Sequence, residues 1–114
     1  MMPSNTPAPA WSLTRDGDGI AWLTLDKPGT STNVLSKDVL LELDAQLAVL
    51  ESPPPRGLVL RSGKPNGFIA GADIKEFRGL DSVETAFSLV SGGQRVLDRL
   101  EALPCPTVAA LHGF

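Results

Sequence analysis

The sequence predicts an α/β fold, in which helices pack against a sheet that contains parallel strands. Two short apolar runs joined by a glycine-containing turn indicate a β-hairpin, and a segment with helical periodicity follows it. The next apolar run is short and almost continuous, which is typical of a strand in a buried parallel sheet. The resulting order of strand, strand, helix, strand, helix and strand is that of a layered α/β domain.

The composition is that of one globular unit, with 42% hydrophobic and 20% charged residues among 114. Residues 1–10 are rich in Pro, Ser and Thr, so we expect a flexible leader followed by a domain at 11–114. The net charge of -3 argues against a nucleic acid partner. We expect no membrane span and a cytoplasmic protein, because no apolar run approaches about eighteen residues and the start does not resemble a signal peptide.

The hairpin is predicted at residues 11–25, with strands at 11–14 and 20–25 and a turn whose glycines allow positive φ. Ser36 is expected to cap the first helix. That helix has one apolar stripe, formed by Val39, Leu40, Leu43, Leu47 and Leu50. Three prolines at 53–55 end it, and a strand covered on both faces is predicted at 57–61.

The last part of the chain is predicted to hold a helix from Ser82 to about residue 103 and a buried strand at 107–111. The apolar face of the helix is formed by Val83, Ala86, Phe87, Val90, Leu97 and Leu100. Gly92 and Gly93 interrupt it, and each costs about 1 kcal/mol relative to Ala. Either the helix bends at these glycines or another backbone packs closely against it.

The segment at 68–77 is a candidate binding site for an oxygen that carries negative charge. Ala70, Gly71 and Ala72 are small enough to let a ligand approach the backbone, and the helical turn that Asp73 begins presents free N–H groups. The alternative is a tight strand-to-helix turn whose small residues serve packing alone. On these residues by themselves, the packing interpretation is favoured.

This segment resembles a known motif. Phe68-Ile-Ala-Gly-Ala-Asp-Ile-Lys-Glu-Phe77 is similar to the oxyanion-hole segment of the crotonase (enoyl-CoA hydratase/isomerase) superfamily, and Pro106-Thr-Val-Ala-Ala-Leu-His-Gly113 resembles the strand that leads into the second half of that hole. The separation of the two motifs and the residues at 33–35 also fit the superfamily. The resemblance extends over 11–114 and implies the amino-terminal part of a crotonase-like β-β-α superhelix. Pro28-Gly29 and residues 67–73 resemble most the α-subunits of multifunctional fatty-acid oxidation complexes.

The resemblance implies a part of an enoyl-CoA hydratase, which adds water to trans-2-enoyl-CoA in fatty-acid β-oxidation. The backbone N–H of Ala72 would bind the thioester oxygen as an enolate develops. The residues that would line the acyl-CoA site are Ala70, Gly71, Ala72, Asp73, Ile74 and Lys75. Lys75 either reaches a CoA phosphate or is simply solvated. Hydration needs no cofactor beyond the CoA of the substrate, and NAD would serve only a dehydrogenase region of longer relatives.

The resemblance also implies that a second oxyanion glycine and two catalytic glutamates follow residue 114, so we expect the chain alone to be inactive. The other candidate groups are assigned structural or solvated roles: Asp73, Glu76, Glu84, Cys105, His112, Trp11 and Trp22. With one Cys and one His, no metal site is expected. We expect the protein to form an oligomer. In longer relatives, the resemblance implies assembly with a thiolase β-subunit. The alternatives are an enoyl-CoA isomerase or related enzyme, and a noncatalytic acyl-CoA-binding or assembly fragment.

Overall fold

A computed structural model of the chain describes residues 8–113 and, within them, every side chain except that of Ile74. The elements are β1 (Trp11–Arg15), β2 (Ile20–Leu25), α1 (Lys37–Leu50), β3 (Gly57–Ser62), a 3₁₀ turn (Ile74–Phe77), α2 (Val83–Glu101) and β4 (Thr107–Ala109). Their order and types confirm the predicted α/β class. Residues 1–7 of the predicted leader lie outside the described residues. Ala10, which the sequence placed in the leader, is buried, and its carbonyl accepts the N–H of Asp26.

The strands form one sheet in the order β1-β2-β3-β4. The predicted hairpin is confirmed, because β1 and β2 pair antiparallel. Strand β3 pairs parallel with both β2 and β4. In the parallel register Leu25 lies opposite Ser62, so the carboxyl ends of β2 and β3 meet at the same edge of the sheet. This edge carries the loops that form the candidate site.

The hairpin turn is held by the carboxylate of Asp16. It accepts the indole N–H of Trp22 at 3.0 Å and the backbone N–H groups of Asp18 and Ile20 at 2.9 and 3.1 Å. These donors, the indole first, hold the pKa of Asp16 below its ordinary value. The turn therefore contains a carboxylate that is stabilised in its charged form.

Helix α1 covers one face of the sheet. Ser36 caps its N-terminus, as predicted, because its hydroxyl accepts the N–H of Val39. The buried face of α1 confirms most of the predicted stripe, with Val39, Leu43, Leu47 and Leu50 in the core. These side chains belong to one apolar cluster with Trp11, Ala21, Leu23, Leu25, Leu58 and Leu60. Full burial of a leucine contributes roughly 1.5–3 kcal/mol, so this layer is the main source of stability.

The opposite face of the sheet is not covered by the described residues, and two predictions were wrong for this reason. Val59 is only half-buried, so β3 is covered on one face. Strand β4 has three residues, all exposed, where a buried strand was predicted, since it lies at the edge of the sheet. Trp22, predicted in the core, lies on this open face, with the Arg61 guanidinium 4.6 Å from its ring.

Helix α2 packs against α1, but with a different face from the one predicted. Its buried or half-buried face contains Ala86, Leu89, Gly92, Gly93, Val96 and Leu100. Val83 and Phe87, which belong to the predicted apolar face, are 82% and 71% exposed. Val90 and Leu97 are partly exposed as well, so only Ala86 and Leu100 of the predicted apolar face are half-buried. Neither helix of the described region has the length and apolar character of a membrane-spanning segment.

The two glycines do not interrupt α2, which is helical from Val83 to Glu101. A side chain at Gly93 would begin 3.3 Å from the Leu40 side chain of α1. The glycine therefore allows α2 to lie close to α1, although the neighbouring group is a side chain and not the predicted backbone. Arg99 of α2 fixes the pair further by binding Asp44 and Glu51. The closely packed face of α2 is thus the glycine side.

The loop between β2 and α1 is anchored by Asn33, which is fully buried. Its amide nitrogen shares two hydrogens among three acceptors, the Leu25 carbonyl at 2.9 Å, the Ser62 hydroxyl at 2.9 Å and the Phe68 carbonyl at 3.0 Å. Its amide oxygen accepts the N–H of Lys27 at 3.0 Å. One side chain therefore joins the ends of β2 and β3 to the segment that follows β3.

We expect Asn33→Ala to lower the free energy of unfolding by on the order of 3 kcal/mol, because it removes every contact of a fully buried amide and leaves the Lys27 N–H and the Phe68 carbonyl without their partner. Asn66→Ala is the matched control. Asn66 is exposed, and its amide makes one contact of 3.3 Å with Thr32, so a change within about 0.5 kcal/mol is expected. Urea denaturation followed by circular dichroism measures both. Equal, small effects would contradict the anchoring role of Asn33.

Candidate functional site

A short parallel pair of extended segments, at 33–35 and 70–73, forms the candidate site, with Leu35 opposite Ala72. The connecting backbone hydrogen bonds run from Ala70 N–H to Asn33 O (2.9 Å), from Leu35 N–H to Gly71 O (2.8 Å) and from Asp73 N–H to Leu35 O (3.3 Å). Asn33 therefore fixes the place at which the two segments begin to pair.

The N–H of Ala72 points away from this pair. The Gly71 carbonyl and the Ala72 N–H belong to one trans peptide group, so they point in opposite directions. Because the Gly71 carbonyl accepts the N–H of Leu35, the Ala72 N–H faces the other side. Within residues 8–113 it donates to no acceptor. Since Ala72 is exposed and small, this N–H is open to a bound molecule.

The direction of the Ala72 N–H depends on the backbone of Gly71. Its φ is +121°, a conformation that residues with a side chain rarely adopt. No atom lies within 4 Å of the place where a side chain on Gly71 would begin. Backbone strain, and not lack of space, therefore selects glycine at this position.

After Ala72 the chain enters the 3₁₀ turn, which Asp73 caps as predicted. The Asp73 carboxylate accepts the N–H of Lys75 at 3.0 Å. Glu76, however, is not the solvated charge that was predicted. It is half-buried, and its two carboxylate oxygens lie 2.9 and 3.1 Å from the backbone nitrogen of Lys37, the first residue of α1. The unpaired N–H groups at a helix N-terminus attract such a carboxylate.

Ala72 lines a cavity of about 200 Å³ between the 3₁₀ turn and the two helices. Glu76 also lines it, and its apolar walls are formed by Leu35, Leu40, Phe77, Leu89, Val90 and Leu97. A neighbouring cavity of about 560 Å³ shares Leu40, Glu76, Leu89 and Gly93 with it. Mostly apolar walls with a few polar groups are typical of small-molecule sites.

The structure brings the remaining predicted site residues together only in part. Ala70 is exposed, but its N–H is already bound to Asn33. The Lys75 ammonium is exposed and makes no contact with another described residue that qualifies as a hydrogen bond or ion pair. Ile74 begins the 3₁₀ turn, and its side chain lies outside the described part of the structure.

His112 and Cys105 do not line the cavity beside Ala72. A ring nitrogen of His112 lies 3.0 Å from the Lys64 carbonyl, and the His112 carbonyl accepts the N–H of Phe68. Cys105 is half-buried against the core. In the described residues, no three His, Cys, Asp or Glu side chains are grouped so that they could hold a metal ion.

Lys64 is a structural residue that the sequence did not reveal. It is 8% exposed, and its ammonium binds the Asp26 carboxylate at 2.8 Å and the carbonyls of Lys27 and Thr30 at 2.8 and 2.7 Å. It thereby fixes the loop that leads to Asn33. A lysine in a Gly-Lys-Pro-Asn-Gly loop has the pattern of an exposed residue, so no local signal indicated this contact.

Comparison with known sequences supports the resemblance of the motifs. The family model for enoyl-CoA hydratase/isomerase matches residues 15–114. The chain is 42% identical over 116 residues to the fatty acid oxidation complex subunit alpha of Aliivibrio fischeri, and 45% identical over 104 residues to that of Shewanella sp. strain W3-18-1. These matches cover 96% and 90% of the chain but only 16% and 15% of the relatives.

Solved structures share the fold. An enoyl-CoA hydratase from Mycobacterium smegmatis matches with a TM-score of 0.83 and 32% identity, over 93% of the chain and 41% of that protein. An enoyl-CoA hydratase/carnithine racemase from Magnetospirillum magneticum matches with a TM-score of 0.83 and 28% identity, over 94% of the chain and 40% of that protein. The predicted crotonase-like fold is therefore confirmed, and the chain belongs to the enoyl-CoA hydratase/isomerase family.

Proposed function

We propose that this chain supplies one half of an oxyanion hole to an enzyme that adds water to trans-2-enoyl-CoA thioesters. The observation that carries the proposal is the direction of the Ala72 N–H. It is turned away from the segment at 33–35 and is unpaired within the described residues. A donor roughly 2.7–3.1 Å from the thioester oxygen stabilises the charge that develops there. Loss of one such donor typically costs about 10²- to 10³-fold in rate.

In the proposed reaction, the Ala72 N–H and a second backbone donor polarise the thioester carbonyl. Water then adds to the far carbon of the double bond while one carboxylate takes its proton, and a carboxylic acid protonates the enolate at the near carbon. Asp73 and Glu76 already accept backbone N–H groups. We therefore assign the second donor and the two acid–base carboxylates to the longer protein that the relatives represent.

The proposed hydration changes no net oxidation state, so it needs no redox cofactor. Backbone N–H groups at the thioester oxygen would take the place of a metal ion, and CoA takes part as the carrier of the substrate. NAD would serve only a dehydrogenase region of a longer protein. Relatives named as subunits of a complex support assembly with a further subunit, proposed to be a thiolase. The exposed side chains of Val83 and Phe87 support an oligomer that covers them.

An isomerase would use the same Ala72 donor and differ in its acid–base groups. The solved relatives named enoyl-CoA hydratase favour the hydratase among these activities. A noncatalytic acyl-CoA-binding or assembly fragment would bind the thioester without catalysis. A turn that serves packing alone would neither bind the thioester nor take part in catalysis. The response of the Ala72 N–H to a thioester separates packing from binding.

We expect the Ala72 amide proton to shift downfield when acetoacetyl-CoA binds to the chain, because the thioester oxygen accepts its hydrogen bond. Labelling with ¹⁵N-alanine and titration by NMR measure this shift. Free CoA, which lacks the thioester carbonyl, is the ligand control and should leave the Ala72 signal nearly unchanged. A saturating titration that moves no Ala72 signal would favour the packing interpretation.

Two glycine variants provide the matched control for that experiment. Gly71 and Gly79 both have open space for a methyl group, but only Gly71 has a positive φ. Gly71→Ala is expected to cost about 1–2 kcal/mol in backbone strain and to turn the Ala72 peptide, so its response to acetoacetyl-CoA should fall. Gly79→Ala should respond like the unchanged chain. Equal responses would contradict the dependence on Gly71.

We expect this chain alone not to hydrate crotonyl-CoA, because proton transfer at both carbons needs positioned carboxylates. Loss of the absorbance of the conjugated thioester measures the reaction. The expected rate equals that of buffer. A rate that rises with protein concentration and disappears in a folded Ala72→Pro variant, which lacks the N–H, would show that the chain already contains the catalytic groups.

We further propose that Lys75 contacts a phosphate of CoA. Lys75→Ala should weaken acetoacetyl-CoA about two- to fivefold, as expected for an exposed ion pair, and leave acetoacetyl-pantetheine, which lacks the nucleotide phosphates, unchanged. Arg56→Ala removes the same charge from an exposed position just before β3, at the opposite end of the strand from the site, and should have no effect. Calorimetric titration of the unchanged chain and of both variants measures these affinities. Equal weakening of both ligands by Lys75→Ala would exclude a phosphate contact.

A further inference from the structure

We infer that Glu76 is a positioning residue, which holds the Ala72 N–H in place by tying the 3₁₀ turn to the start of α1. The inference rests on the proposed oxyanion role of Ala72. Its basis is the contact between the Glu76 carboxylate oxygens and the backbone nitrogen of Lys37, at 2.9 and 3.1 Å. The two residues are 39 positions apart in the sequence, so the contact is tertiary and not part of the turn itself.

This contact completes a ring of short connections around Ala72. On one side, Leu35 is hydrogen-bonded to both neighbours of Ala72, at the Gly71 carbonyl and the Asp73 N–H. On the other side, Glu76 binds the helix that begins just after Leu35. The Ala72 peptide therefore lies between two attachments to the same loop-to-helix segment. Rotation of this peptide would disturb one of them.

Helix α1 explains why a carboxylate suits this place. The first N–H groups of a helix have no acceptor within the helix and carry partial positive charge. The Ser36 hydroxyl satisfies the N–H of Val39, and Glu76 satisfies that of Lys37. A carboxylate gains from the hydrogen bond and also from the dipole of this 14-residue helix. Glu76 is thus an N-terminal acceptor that is supplied from another part of the chain.

Glu76 also lines the cavity beside Ala72, so direct proton transfer is the rival role. The two roles differ in what a glutamine does. Glutamine keeps an oxygen that can accept the N–H of Lys37, but it cannot take up or release a proton at neutral pH. Glu76→Gln should therefore preserve positioning, whereas Glu76→Ala should remove it.

The test compares Glu76→Gln, Glu76→Ala and Glu84→Ala in the full chain. Glu84 is an exposed acid in the first turn of α2 and serves as the matched control. The readouts are the Ala72 amide shift and the affinity for acetoacetyl-CoA, together with hydrogen exchange of the Lys37 amide. Glu76→Ala should reduce the shift, weaken binding about three- to tenfold, as for the loss of a helix cap, and speed Lys37 exchange. Glu76→Gln and Glu84→Ala should retain the shift.

The possible failures can be told apart. If Ala72 in the unchanged chain does not respond to acetoacetyl-CoA, the proposed function is overturned and this inference with it. If the unchanged chain responds and a folded Glu76→Ala responds equally, only the positioning role is overturned. Loss of the response in Glu76→Gln while Lys37 exchange stays slow also overturns positioning, because the contact with Lys37 would then be present without holding Ala72. Should Glu76→Ala fail to fold by circular dichroism, Glu76→Asp, which is one methylene shorter, replaces it with the same expected loss.

Discussion

The buried amide of Asn33 is the constraint on which the arrangement of this chain depends. Parallel pairing of β2 and β3 brings their carboxyl ends together, but the loops that leave those ends could diverge in many directions. Asn33 fixes them by hydrogen bonds to the carbonyls of Leu25 and Phe68 and to the Ser62 hydroxyl. Because the Asn33 side chain is fully buried, a displaced loop would leave its amide unpaired in the core. Asn33 therefore fixes the direction in which both loops leave the edge of the sheet.

The unpaired N–H of Ala72 follows from this direction without a specialised side chain. In a parallel pair of extended segments, alternate peptide groups point toward the partner and away from it. Leu35 uses the groups on either side of Ala72, so the Ala72 N–H is left on the outer side. Gly71 permits the required backbone, and the small side chain of Ala72 leaves room for a ligand. A site of this kind depends on backbone geometry, which explains why its motif consists of small residues.

Features that depend on neighbouring residues could be predicted from the sequence. The hairpin, the Ser36 cap and stripe of α1, and the Asp73 cap all have local patterns, and all are present. The buried face of α2 could not be predicted in this way. The most hydrophobic side chains, such as Val83 and Phe87, suggested one face, yet close approach to α1 selected the face with Gly93 and Val96. Hydrophobic periodicity identifies an apolar face, but the packing partner decides whether that face is buried.

The polar contacts that hold the candidate site could not be predicted from local patterns, for a different reason. The segment that contains Ala72 was identified by its resemblance to the superfamily motif, since its small residues alone favoured packing, but Lys64 and Glu76 find their partners on distant segments. A glutamate that caps another helix and a solvated glutamate have the same neighbours in sequence. Only the folded chain shows that Glu76 returns to the helix that begins after Leu35, the residue paired with Ala72. The segment that provides the free N–H is thus attached on both sides to the chain at Leu35 and Lys37, and its precision comes from tertiary contacts, whereas its chemistry comes from the backbone.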